Sequence, residues 1–171
     1  MAEIIRIDRQ PMPAARFIGK KYTEADKKHG YFLEQWQQWI TEGWFRPLYG
    51  FWAHWQFEGS DVPCGLYRLK EGEPMQYWIG RFLPPEHEVP EGYASVDLPA
   101  GTLGVCWVRD KGLGIYGQQA ACLAALDEAG ASLVADAQGA FWFFERYEYP
   151  RSRNADEKGR LTLDYCFYID G

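Results

Sequence analysis

One pattern runs through the chain twice. Pro13-Ala14 and Pro99-Ala100 lie 86 positions apart; Phe51-Trp52 and Phe141-Trp142 lie 90 apart, as do Tyr77-Trp78-Ile79 and Phe167-Tyr168-Ile169. Three landmarks in the same order at nearly one offset read as an internal duplication. Local patterns fill in the same order of elements on both sides. Arg6–Tyr22 reads as two extended pieces broken at Pro11 and Pro13. Thr23 and Asp26 can cap a helix that carries Phe32, Trp36, Trp39 and Ile40 on one stripe and stops at Gly43. Tyr49–Phe57 and Met75–Leu83 follow as aromatic strands, with a turn-rich stretch through Pro63-Cys64-Gly65 between them. After the proline-rich linker Pro84–Gly92 come strands at Tyr93–Leu98 and Thr102–Arg109. A helix from about Leu113 to Ala129 ends at Gly130, and strands at Ala140–Tyr149 and Leu161–Ile169 close the chain. The helical stripes read as core, because a helix must bury one face somewhere.

This order predicts an α+β fold. A tandem βαββ repeat with pseudo-two-fold symmetry would form an antiparallel sheet with two helices and a central ligand cleft. The repeat halves are about 1–88 and 89–171, within a single domain spanning 1–171. The 171 residues suit one compact unit and leave no room for a separate DNA-reading module. With 18 Lys and Arg against 24 Asp and Glu, the net charge is -6, the wrong sign for releasing counterions from phosphates. Direct nucleic-acid binding is therefore not expected. No stretch reaches the ~18 apolar residues of a membrane helix, and the charged start Met1–Arg9 is not that of a signal peptide. The four cysteines are widely spaced, without a CxxC, and read as buried thiols in a cytoplasmic setting. His29, His54 and His87 are isolated, and no metal or cofactor is expected. What stands out is 8 Trp, 11 Tyr and 10 Phe, more rings than a core of this size needs. Some of them should line a site.

Strand alternation nominates which ones. In the penultimate strand Phe143, Glu145 and Tyr147 share a face; in the last, Asp164, Cys166 and Tyr168 do. The offset of 90 pairs Glu145 with Trp55 and Tyr168 with Trp78. A cleft on the Glu145 face would then be lined by Trp55, Trp78, Glu145, Tyr147 and Tyr168, with Phe143 beside them. A carboxylate among rings resists burial unless a positive partner arrives, and aromatic faces add cation–π attraction. Such a pocket suits a flat, apolar, cationic or basic molecule. The alternative is that Glu145 pairs with Arg146, Arg151 or Arg153 at a sheet edge and serves structure alone.

The layout resembles the GyrI-like small-molecule-binding family, which includes effector domains of AraC-type and multidrug-sensing MerR-type regulators and stand-alone proteins. The segments that carry the resemblance are Pro13-Ala-Ala-Arg-Phe-Ile-Gly19, Val89-Pro-Glu-Gly-Tyr93, Leu98-Pro-Ala-Gly101, Phe144-Glu-Arg-Tyr147 and Asp164–Ile169. It implies a GyrI-like ligand-binding domain whose central cleft takes hydrophobic, often cationic, aromatic molecules. A glutamate in the Phe-Glu-x-Tyr segment, here Glu145, would meet the positive charge, and a last-strand tyrosine, here Tyr168, would line the pocket. Several relatives carry an acid two positions before that tyrosine. This chain has Cys166, so one negative charge fewer is expected and larger neutral aromatics should also fit.

Three functions follow from these readings. The first is a sensor or sequestering protein, or a regulator's effector-binding domain, that holds hydrophobic aromatic molecules. The second, implied by stand-alone members that resemble this chain, is a hydrolase opening strained cyclopropane rings, with Glu145 as the catalytic acid or base. The third is a protein-partner module such as a DNA gyrase inhibitor. Binding without turnover is the preferred expectation.

Overall fold

The computed structural model describes residues 1–50 and 52–171. Eight strands and two α-helices follow one another as β1 (Glu3–Met12), β2 (Ala15–Tyr22), α1 (Leu33–Thr41), β3 (Cys64–Leu69), β4 (Gln76–Leu83), β5 (Ala94–Leu98), β6 (Gly101–Asp110), α2 (Gln119–Glu128), β7 (Phe141–Arg146) and β8 (Leu161–Ile169). All the strands join one antiparallel sheet in the order β1-β6-β8-β7-β3-β4-β2-β5. Exchanging β1 with β5, β2 with β6, β3 with β7 and β4 with β8 reproduces that order, so the sheet carries the expected pseudo-two-fold. The axis passes between Tyr67 and Phe143, which are cross-strand partners with stacked rings 4.6 Å apart.

Both helices lie on one face of the sheet. α2 buries Cys122 and Leu126 against Cys106, Val108, Phe143, Tyr165, Phe167 and Ile169. α1 buries Trp39 beside Phe32, Phe45 and Leu48, over Ile18, Tyr77, Ile79 and Leu83. The alternate residues of the same strands, among them Leu66, Trp78, Phe82, Trp142, Phe144, Cys166 and Tyr168, form a separate core on the opposite face, and Trp55 and Phe57 pack against it. The central strands are thus covered on both sides.

Four local expectations are corrected, each for a physical reason. β1 runs through Pro11 instead of breaking there, because β1 is an edge strand and a missing N–H costs nothing on its open side. Thr23 and Asp26 do form a capping box, but it closes only the short 3-10 turn Glu24–Asp26. His29 and Gly30 then turn with positive φ, and α1 starts at Leu33. Gly117, also at positive φ, separates the 3-10 turn Gly112–Ile115 from α2, so the second helix begins at Gln119. The largest difference concerns Tyr49–Phe57, which contains no strand among the described residues; the Phe51 landmark lies outside them. The strand equivalent to β7 is β3, within the stretch whose Pro63 and Gly65 signal a turn.

The register shows why a single offset misleads. Tyr77 faces Tyr67 just as Phe167 faces Phe143, so β4 and β8 are related by 90 positions, as expected, while β3 and β7 are related by 76. The segment before β3 (42–63) is longer than the one before β7 (129–140), and the connection 70–75 is shorter than 147–160. The two length differences nearly cancel, which hides the slip from any landmark taken on β4 and β8.

Candidate ligand-binding site

The floor of the site lies near the pseudo-two-fold axis, between the starts of the two helices. β7 points Glu145 to the helical face, opposite Gly65 of β3. The glycine matters here. A Cβ at position 65 would strike the hydroxyl of Tyr77, so the missing side chain lets that phenol lie over β3 beside the carboxyl. Tyr147 donates its hydroxyl to Glu145 Oε2 at 2.8 Å, and Tyr67 donates to Oε1 at 3.3 Å. Trp36 of α1 donates its indole N–H to the Tyr77 oxygen at 2.8 Å, and its ring centroid lies 4.5 Å from that of Tyr147. Together with Tyr116, Phe32 and Tyr31 these residues enclose a cavity of about 180 Å³ whose rim includes Lys27 and Gln119. The Lys27 ammonium is held 3.0 Å from Glu24 and over the Phe32 ring.

The electrostatics follow from burial. Glu145 is 4 % exposed, and among the described residues no cation comes within 4.0 Å of its carboxyl. Desolvation lifts its pKa from 4.5 to about 7, against the opposing pull of the two phenol donors. Burial, with the nearby carboxyl as a further cause, also pushes the phenols of Tyr67, Tyr77, Tyr116 and Tyr147 upward, so they remain neutral donors. Between pH 4.5 and 7 the folded chain keeps a proton that the unfolded chain gives up. The contribution of Glu145 to stability is therefore greatest below 4.5 and is lost as the pH rises through 7, a fall of roughly 3 kcal/mol. Urea midpoints at pH 5 and pH 8 should show this fall in the wild type and should lose that part of it in Glu145→Gln.

The sheet divides the residues nominated from the sequence. Glu145, Tyr147 and Phe143 share the helical face, with Phe143 stacked beneath Tyr67 and packed in the core cluster under α2. Trp78, Cys166 and Tyr168 lie on the other face, buried in the opposite core, so the expectation that they line the Glu145 cleft is corrected. The register explains it. Glu145 faces Tyr165 and its β8 neighbours Cys166 and Asp164 alternate to the far side. Trp55 also packs against that far core and walls a different cavity with Trp52, Phe57 and Arg81. Under the two-fold the mate of Glu145 is Leu69, not Trp55.

The structural alternative for Glu145 is corrected as well. Arg146 points away from it and donates to Asp164, to the Glu58 carbonyl and to Gln10; Arg151 grips the same Asp164 with two nitrogens. Arg153 makes no ion pair among the described residues. The site residues that sequence reasoning missed are Gly65 and Tyr67, which fall in a turn-like stretch, Trp36, which sits on a helical stripe, and Tyr116, which the structure places in the turn before α2. The Phe32–Trp36 spacing and the excess of rings were the available signals. Among the described residues no three His, Cys, Asp or Glu side chains group to hold a metal ion, and no helix is long and apolar enough to cross a membrane.

A single antiparallel sheet of tandem βαββ units, with two helices on one face and an aromatic cleft between them, defines the fold. It is the GyrI-like fold. No protein-family model matches the chain, and no curated protein matches it in sequence. Solved structures do match. The structure of SAV2435 bound to tetraphenylphosphonium is similar with a TM-score of 0.65 and 14 % identity, over 98 % of this chain and 95 % of that one. A protein from Staphylococcus aureus MU50, described as a candidate bacterial transcription regulation protein, gives 0.61 and 13 % over 97 % and 99 %. EcmrR, in its complex with DNA, gives 0.57 and 9 % over 96 % of this chain and 57 % of that one.

Proposed function

We propose that this chain binds flat, hydrophobic aromatic cations in the cleft between α1 and α2, with Glu145 as the counter-charge, and acts as a sensor or sequestering protein. The observation that carries the reading is a buried carboxyl with two phenol donors, walls of aromatic rings and, among the described residues, no cation within 4.0 Å. Burying a lone carboxylate is unfavourable, and a cationic ligand supplies the missing charge while tyrosine and tryptophan faces add roughly 0.5–2 kcal/mol each. That SAV2435 holds tetraphenylphosphonium, an aromatic cation, on the same fold supports the reading.

The test uses two molecules of one shape. N-methylquinolinium and 1-methylnaphthalene differ essentially in charge, and Trp36 reports either by quenching. The cation should bind at least tenfold more tightly at pH 8, with the ligand recovered unchanged by mass spectrometry. Equal affinities would refute the charge-selective reading, and conversion of a strained-ring analogue that stops in Glu145→Gln would replace it with the hydrolase.

A further inference from the structure

A second chamber of about 170 Å³ adjoins the Glu145 cavity. The two share Leu33, Trp36, Tyr116 and Tyr147 as walls, so what separates them is the contact between the Trp36 and Tyr147 rings. The outer chamber is apolar at Phe45, and Arg153 stands at its edge, exposed and with no carboxylate within 4.0 Å among the described residues. The two chambers together therefore run from a buried acid at one end to an exposed cation with no carboxylate beside it at the other.

The partition is lightly held. α1 has nine residues, below the ~12–15 at which an isolated helix is stable. Its N-cap, Phe32, makes no side-chain capping bond, and Trp39 is its one fully buried residue. Trp36 itself is half-buried, and among the described residues its one side-chain hydrogen bond goes to Tyr77. A change of Trp36 rotamer, or a small shift of α1, would merge the chambers in exchange for the Tyr77 hydrogen bond and the contacts with the Tyr147 and Phe45 rings, which a bound ligand's rings can replace.

Resting on the cation reading of Glu145, we infer that the two chambers are one site, divided by Trp36 when empty, whose ligand is an elongated zwitterionic aromatic molecule with its positive end at Glu145 and its anionic end at Arg153. The two ends differ in strength. The Glu145 end is desolvated and sets affinity, while the Arg153 end is exposed and selects among ligands that already fit.

The test uses four fluorescent or quenching probes with one head group: N-methylpyridinium itself and 4-styryl-N-methylpyridinium rods ending in carboxylate, hydrogen or trimethylammonium. The wild type should bind the rods more tightly than the head alone. Among the rods, carboxylate should exceed hydrogen by about fivefold and hydrogen should exceed trimethylammonium, as expected for an exposed ion pair. Arg153→Glu should reverse the order of the rods and leave the head probe unchanged. Trp36→Ala should raise the rods' association rate. An unchanged order in Arg153→Glu, or rods that bind no better than the head, would overturn the inference while leaving the Glu145 reading intact. A head probe that binds wild type and Glu145→Gln equally would overturn both.

Discussion

In Glu145→Gln the affinity for N-methylquinolinium should fall by about 30-fold or more at pH 8, while that for 1-methylnaphthalene changes by less than about threefold. Truncating one member of a desolvated charge pair costs about 2–5 kcal/mol, and glutamine keeps the shape and hydrogen-bond acceptor of the side chain while removing its charge. Tyr147 can still donate to the amide oxygen, while the amide N–H group can donate to the Tyr67 oxygen, so the cavity keeps its walls. A loss confined to the cation would mark an effect of charge; a parallel loss of both ligands would mean that the substitution had deformed the cleft. The same carboxyl gives wild-type binding its pH dependence. Because the empty site holds a proton up to about pH 7, affinity for a permanent cation should rise with pH up to that value and then level off.

The second large effect lies on the far side of the sheet. Asp164 is fully buried and accepts both Arg146, itself 1 % exposed, and Arg151, whose guanidinium stacks 3.9 Å over Trp107. Through Arg146 the cluster also reaches Gln10 on β1 and the Glu58 carbonyl, so one carboxylate ties β1, β7, β8, the 147–160 connection and the segment before β3. Asp164→Asn leaves two arginines without their counter-charge, one of them buried, and should destabilise the fold by about 3–5 kcal/mol. For a chain of this length that corresponds to a melting temperature lower by roughly 6–20 °C. Joint replacement by apolar residues, Arg146→Met with Asp164→Leu, should cost less than Asp164→Asn, because it removes a buried charge along with its partner. Thermal denaturation of the single and double variants decides this, and a wild-type melting temperature in Asp164→Asn would show the cluster to be energetically idle.

How far the sequence could be read depended on where the information is stored. The sheet and its symmetry were legible because alternation and glycine stops are local signals: β8 runs Leu161–Ile169 as its residues suggest, and Gly43 and Gly130 end the two helices. Glu145 was legible because a lone acid in Phe-Phe-Glu-Arg-Tyr is conspicuous, and alternation put Tyr147 near it. Its opposite wall was not legible. Which residue faces Glu145 across the sheet depends on register, and register depends on the lengths of two connections whose differences nearly cancel. Tyr168 and Trp78 are true equivalents of each other, yet both lie behind the sheet. Gly65 looks like a turn residue and instead makes room in a central strand for the Tyr77 phenol. Arg146 and Arg151 looked like partners for Glu145 in sequence, but their shared acceptor is 18 positions from one and 13 from the other. None of these placements has a local cause; they follow from long-range pairing.

An occupant that supplies the positive charge Glu145 lacks must displace the proton the empty site holds. Calorimetry of N-methylquinolinium binding at pH 6, in two buffers of different ionisation enthalpy, measures this as protons. With a carboxyl pKa of about 7, the empty site is about nine-tenths protonated at that pH, and a cation that binds the carboxylate must expel the proton. Release of about 0.9 proton per ligand bound is expected for the wild type and none for Glu145→Gln. Tight binding to the wild type without proton release would contradict the pairing of the cation with Glu145.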